Sequence, residues 1–225
     1  MILAGGLGTR MRPLTEKIPK PMLPVQGRPF LYHQIALLKS RGIRKILLLV
    51  AYLGQEIEHF FRDGSGLGVE IEYSYEPSPL GTGGALKNAE ARLDSEFVLL
   101  NGDTYLDIDY RALISSFRSC HCEALIVAFE DKTRGLTGNL AVTAGGRVTA
   151  YSKKGCGGMT HVDAGAIVLN RSILQFISPG RECSLEEDIY PVLIGNRRMR
   201  AWPTSEVFID IGTPEGLESL ARRLP

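Results

Sequence analysis

Two hydrophobic periods alternate along the chain. Ile46-Leu47-Leu48-Leu49-Val50 is unbroken, which predicts a strand from Arg44 to Ala51 buried on both faces, as parallel strands are. Before it, Leu31, Ile35 and Leu38 recur at helical spacing and predict a helix from Phe30 to Arg41, stopped by Gly42. After it come a short helix from Gly54 to Arg62, a loop at Asp63-Gly64-Ser65-Gly66 and an alternating strand from Val69 to Tyr75. Strands are also predicted from Glu96 to Leu100, Ala124 to Phe129, His161 to Leu169 and Arg198 to Trp202. Asp107 and Asp109 favour the start of a helix from Tyr110 to Ser119. Asp131 to Gly138 reads as a polar, mobile loop, and Ala144-Gly145-Gly146 as the turn of a hairpin. Ser184 with Glu187 is a capping-box pattern that leaves Glu186 free, and Thr213-Pro214 opens a last helix. Strands alternating with helices imply an α/β fold: an open, mixed, mostly parallel Rossmann-like sheet flanked by helices, in a single domain over residues 1–225.

Composition changes this picture little. A chain of 225 residues with 44% hydrophobic and 23% charged residues can bury a core of its own. The net charge of +1 points to neither nucleic acid nor a membrane as partner. No apolar run approaches the ~20 residues of a membrane span, and Met1 to Ala4 is too short for a signal peptide. Cys120-His121-Cys122 lacks zinc spacing and a second ligand pair, so it reads as an exposed turn after a helix. Four cysteines with no evident pairing fit a cytoplasmic protein.

The densest chemistry lies between Gly5 and Pro24. Gly5, Gly6 and Gly8 let backbone N–H groups approach an anion, and Arg10, Arg12, Lys17 and Lys20 follow within a dozen residues. Pro19, Pro21 and Pro24 stiffen the segment carrying Lys20. It is not a P-loop, since Thr9 follows Gly8, and it lacks the third glycine of the dinucleotide fingerprint. A polyphosphate cradle is the better reading; a glycine-rich surface turn is the alternative.

Other stretches add to it. Pro77 to Leu86 places glycines at a helix start, where backbone meets an anion or a flat ligand, with Thr82 as N-cap. Asp103 lies past a strand end in Asn101-Gly102-Asp103, suited to Mg²⁺ or, alternatively, to a plain β-turn. Asp210 sits alone in an apolar strand, where a carboxylate needs a partner: a metal or a core cation.

Leu3-Ala4-Gly5-Gly6-Leu7-Gly8-Thr9-Arg10-Met11-Arg12-Pro13-Leu14-Thr15 with Lys20-Pro21 resembles the signature of sugar-1-phosphate nucleotidyltransferases. The resemblance runs from Leu3 to about Glu215. It implies a GT-A-like fold, Mg²⁺ as cofactor, and a nucleoside triphosphate and a sugar 1-phosphate as substrates. The Leu80 to Ala85 loop is most similar to guanylyltransferases acting on heptose or mannose 1-phosphates, which favours GTP; uridylyltransferases using UTP carry a related Thr-Gly-Gly. Relatives carry a few more residues ahead of the first strand. Oligomeric state is left open, a homo-oligomer included.

Residue by residue, the resemblance implies nucleotide contacts from Leu3, Ala4, Gly5, Gly6, Gly8, Thr9, Gly81, Thr82 and Gly102. Arg10, Lys20 and Asp103 are the catalytic set, and Asp103 and Asp210 the metal ligands. Sugar-phosphate contacts fall on Gly138, Lys154, Asp163 and Glu186. Lys153 stands where the family has glutamate, and Asp163 where it has asparagine. A binding subunit without turnover would be expected to lose the carboxylates or the lysine; Arg10, Lys20, Asp103 and Asp210 are all present.

Overall fold

The structure is a computed structural model that describes residues 1–130 and 135–224. In chain order it holds β1 (Ile2–Leu3), β2 (Pro24–Val25), β3 (Arg28–Pro29), α1 (Phe30–Ser40), β4 (Lys45–Val50), α2 (Gly54–Phe61) and β5 (Glu70–Tyr75). Then follow α3 (Gly81–Asn88), β6 (Glu96–Asn101), β7 (Thr104–Tyr105), α4 (Tyr110–Ser119), β8 (Ala124–Glu130), β9 (Leu140–Val142) and β10 (Val148–Tyr151). The chain ends with β11 (His161–Asn170), α5 (Tyr190–Gly195), β12 (Met199–Thr204), β13 (Ile209–Asp210) and α6 (Pro214–Arg223). Contacts divide it into two compact units. One holds Met1–Pro79, Leu100–Asp107 and Phe208–Pro225; the other holds Leu80–Leu99 and Ile108–Val207. The expected α/β class with a mixed sheet is what the chain adopts.

In the first unit β1 lies between β4 and the end of β6, parallel to both: Ile2 is opposite Leu48 and Leu100. Strand β5 continues on the far side of β4, again parallel. Ile46 to Val50 are all buried, as the unbroken apolar run required. Helix α1 buries Phe30, Leu31, Ile35, Leu37 and Leu38, and with them the polar Gln34. Gly42 ends it in the left-handed region, φ 85°, its N–H donating to Lys39 O at 2.9 Å.

A separate apolar cluster joins chain ends that lie far apart in sequence. Val25, Phe30, Ile209, Ile211 and Leu220 pack together, and burying each such side chain contributes roughly 1.5–3 kcal/mol. Thr213 Oγ1 accepts from Gly216 N at 3.2 Å and Pro214 occupies the first turn of α6, as the sequence predicted. Ile209 and Ile211 point inward, so the intervening Asp210 points out. Strand alternation turns Asp210 out of the apolar layer, and a cation expected as one of its possible partners is there: the buried Lys20, whose Nζ lies 3.7 Å from Oδ1.

In the second unit β8 is central, antiparallel to β11 and parallel to β12. Its residues Ala124 to Phe129 are all buried. Strands β9 and β10 form the expected hairpin. The β8–β11 register shifts between Asp163 and Ile167, a bulge at Ala164-Gly165-Ala166 with Gly165 at φ 77°. Asp109 caps α4, accepting from Arg111 N and Ala112 N at 3.0 Å each. Asp107, in the first unit, accepts from Arg41 Nε at 2.9 Å.

Cys120 and Cys122 follow α4 in a turn, as expected, but they are joined as a disulfide. His121 between them is left-handed, φ 50°, which folds the two side chains toward each other. The expectation of four unpaired cysteines is therefore corrected; Cys156 and Cys183 are free thiols. Part of the predicted loop from Asp131 to Gly138 lies outside the described residues. Among the described residues no helix is long and apolar enough to cross a membrane.

Candidate active site

The first unit carries the glycine loop and folds it back on itself. Gly8 sits at φ 61°, and a Cβ there would lie 2.9 Å from Thr15 Cγ2 and 3.2 Å from Lys20 Cβ. Thr15 Oγ1 donates to Gly8 O at 2.8 Å and Met11 N donates to the same oxygen at 2.9 Å. Leu3 and Ala4 lead into the loop, Ala4 N donating to Leu49 O at 2.8 Å. Gly5 is packed close to Glu76 and Ala51. Gly6 and Thr9 are exposed, and nothing lies within 4 Å of a Cβ built at Gly6, so backbone is open to a ligand there.

Lys20 is buried at 8% exposure, in a short turn entered from Pro19 and continued by Pro21. Its Nζ lies 2.6 Å from Asp103 Oδ2 and 3.7 Å from Asp210 Oδ1. A side chain at Gly212 would meet Asp210 Oδ1 at 2.9 Å, Lys20 Nζ at 3.1 Å and Arg10 Nη2 at 3.2 Å. Two cations from the glycine-loop stretch and two carboxylates from two distant ones thus come together at Lys20, beside Gly212.

Backbone pairing explains the convergence. Strands β7 and β13 are antiparallel, with Asp210 opposite Thr104, and Ile211 N donates to Asp103 O at 2.9 Å. The turn before β7 is pressed onto the central strand: a Cβ at Gly102 would lie 2.1 Å from Leu3 O. Gly212 N donates to Asp210 Oδ1 at 2.6 Å and helps orient that carboxylate.

Two carboxylates already gathering cationic charge are a donor set suited to Mg²⁺, which takes one or two carboxylates and completes its shell with water and phosphate oxygens. Among the described residues no three His, Cys, Asp or Glu side chains form a cage by themselves. A divalent ion held by Asp103 and Asp210 alone would complete its shell with water or other oxygens.

The second unit brings Gly81, Thr82 and Glu186 together. Cys183 O accepts from Gly83 N at 2.8 Å and Gly84 N at 3.2 Å, and a Cβ at Gly81 would lie 2.6 Å from that oxygen. The loop glycines thus have a packing role of their own. Thr82 is not the N-cap: α3 begins one residue earlier, after Leu80, and the Thr82 hydroxyl is spent elsewhere. Its Oγ1 donates to Glu186 Oε2 at 2.8 Å and accepts from Leu185 N at 2.8 Å.

Glu186 is not free either, since Ser184 Oγ also donates to its Oε2, at 2.7 Å. The capping box is shifted as well. Ser184 Oγ accepts from Glu187 N at 3.2 Å, but Ser184 N donates to Asp188 Oδ2 at 2.7 Å. Leu185–Ile189 winds as a π-helix, and its wider turn moves the reciprocating acid on by one position.

Asp163 lies at the β11 bulge, half-buried. It accepts from Gly165 N at 2.9 Å and from Tyr151 OH at 3.5 Å, while its own N–H donates to Asn139 Oδ1 at 2.7 Å. Tyr151 in turn packs edge-on against Tyr190 at 5.1 Å. Gly138 is required by close approach, a Cβ there falling 2.1 Å from Met159 O. Lys153 and Lys154 are exposed in the turn after β10.

Burial, reinforced by the Glu186 charge, outweighs the Gly165 and Tyr151 hydrogen bonds and raises Asp163 from 3.8 to about 6. The unfolded chain gives up this proton above 3.8 while the folded chain keeps it to about 6, so stability falls as pH rises through that window. Asp163→Asn should remove the slope. Relative to wild type, the variant should gain about 2 kcal/mol between pH 4 and pH 7, allowing for partial exposure. Urea midpoints across that range measure it, and a pH-independent difference would refute it.

A protein-family description, "Nucleotidyl transferase", matches residues 1–224. The mannose-1-phosphate guanylyltransferase of Mycobacterium tuberculosis is 34% identical over 96% of this chain, which spans 61% of that relative's length. The D-glycero-alpha-D-manno-heptose 1-phosphate guanylyltransferase of Aneurinibacillus thermoaerophilus is 31% identical, over 100% of this chain and 97% of its own. The crystal structure of HddC from Yersinia pseudotuberculosis complexed with GMP-PN superposes with a TM-score of 0.84 at 32% identity, covering 99% of this chain and 97% of that one.

Proposed function

This chain belongs to the nucleotidyl transferase family, and on that premise we propose that it transfers a nucleoside monophosphate from a nucleoside triphosphate to a sugar 1-phosphate. GTP and heptose 1-phosphate are the favoured pair, because a relative of matching length is named for that reaction. The observation that carries the reading is the meeting of Asp103 and Asp210 at Lys20, beside Arg10 and the glycine loop.

In this reaction an oxygen of the sugar phosphate attacks the α-phosphorus in line. The new O–P bond forms as the bond to the β-phosphate oxygen breaks, and pyrophosphate leaves with that electron pair. The attacking phosphate has a second pKa of about 6 and is already ionised at neutral pH, so no general base is needed. The protein has to align two polyanions and offset their repulsion. Asp103 and Asp210 would hold Mg²⁺, which when bound neutralises phosphate charge as a Lewis acid. Arg10 and Lys20 would steady the triphosphate and the departing pyrophosphate, with N–H groups around Gly6 and Thr9 as further donors. Glu186 and Asp163 would accept from sugar hydroxyls, and Lys154 would meet the incoming phosphate.

The test is a matrix of GTP, UTP, ATP and dTTP against heptose, mannose and glucose 1-phosphates, read by pyrophosphate release. Heptose 1-phosphate with GTP should give the highest kcat/KM. Turnover led by another pair would reassign the substrates, and no release with any pair would reject the enzyme in favour of a binding protein.

A further inference from the structure

Gln34 is a polar side chain on the buried face of α1, 3% exposed. Its amide nitrogen donates to Asn101 O at 2.8 Å and to Thr104 O at 2.9 Å. Both neighbours are carbonyl oxygens, so only the NH₂ end of the amide can face them. Those carbonyls bracket Gly102 and Asp103, and the amide closes the turn as a fork. The same turn is sealed on the strand side by Gly102 against Leu3, and Thr104 carries the pairing to Asp210. One side chain therefore ties down both ends of the segment on which the two carboxylates meet.

We propose that Gln34 is a positioning residue that sets the spacing of the Asp103 and Asp210 carboxylates and thereby their affinity for a divalent cation. This rests on the reading of those carboxylates as metal ligands. Gln34 touches no reacting atom. It acts by denying the turn the freedom that two unpaired carbonyls and a glycine would give it.

The experiment uses the full chain without nucleotide. Mn²⁺ is titrated by electron paramagnetic resonance into wild type, Gln34→Met, Asp103→Asn and Ile35→Val, the last a core change on the same helix. Amide exchange across residues 101–104 is followed in metal-free protein. Gln34→Met, similar in volume but without the donors, should weaken Mn²⁺ binding at least about tenfold, the scale seen when a group behind a metal ligand is removed. It should also speed exchange at Gly102, Asp103 and Thr104. Ile35→Val should do neither, even if its Tm falls as far. If Gln34→Met fails to fold, Gln34→Asn, whose amide is one methylene short, takes its place in the same measurements.

Affinity within about twofold of wild type, or equal weakening in Ile35→Val, overturns the proposal, since groups behind a ligand are worth more than that. Binding in wild type that Asp103→Asn leaves intact, or none at all, sinks the metal reading instead; unchanged exchange in Gln34→Met would then sink the positioning role on its own account.

Discussion

Asp103→Asn should lower kcat by at least about a thousandfold, equivalent to about 4 kcal/mol of transition-state stabilisation. Asparagine keeps the shape of aspartate and one acceptor oxygen but removes the charge that both Lys20 and a divalent ion would use. Asp210→Asn should act in the same direction. The two variants should differ in stability, because the Asp103 side chain is 30% exposed and 2.6 Å from Lys20 while Asp210 is 44% exposed and 3.7 Å away. Removing the nearer partner leaves a buried ammonium poorly paired, at a cost of about 1–3 kcal/mol; the farther one should cost less. Single-turnover rates with thermal melts of both variants separate the two effects. Near-normal turnover in either, with the fold intact, would reject the metal assignment.

Gly102→Ala should be among the most damaging single methyls in this region. Its Cβ would sit 2.1 Å from the carbonyl oxygen of Leu3 and 3.3 Å from Ala4 Cα, and backbone cannot step aside as a flexible side chain can. Relief requires either the Asp103 turn or β1 to shift, and overpacking of that kind costs about 1–3 kcal/mol or more. Stability and turnover should fall together, since the displaced turn carries Asp103. Gly6→Ala is the matched control: its Cβ meets nothing within 4 Å, so the melting temperature should stay near wild type. A Gly102→Ala protein as stable as the Gly6→Ala one would show that the turn has slack the structure does not contain.

Much of the fold was legible because its signals are local. The apolar run of β4, the spacing in α1, the Asp109 cap and the Thr213-Pro214 start all depend on residues within one turn or strand of each other. The glycine loop and its cations were legible for the same reason, and Asp103 stood out just past a strand end. What the sequence misread depends on distant partners or on local backbone conformation that residue type does not announce. Thr82 looks like a helix cap until Glu186, a hundred positions away, takes its hydroxyl. Glu187 looks like the reciprocating acid until a π-turn hands that role to Asp188. The bonding of Cys120 to Cys122 depended on a left-handed His121. Gln34 left one readable sign, a polar residue among Leu31, Ile35 and Leu38 on an otherwise apolar helix face. Its two carbonyl partners lie 67 and 70 residues onward.

The β7–β13 pair has a consequence for the order in which the molecule can be made. The carboxylate supplied by β13 follows the one beside β7 by about a hundred residues of synthesis, several seconds of ribosome time. Until that late strand emerges, the lysine near the start of the nascent chain has half of its counter-charge. A ribosome stalled before Ile209 would therefore carry only one of the two carboxylates that meet at Lys20, however well its earlier strands had paired.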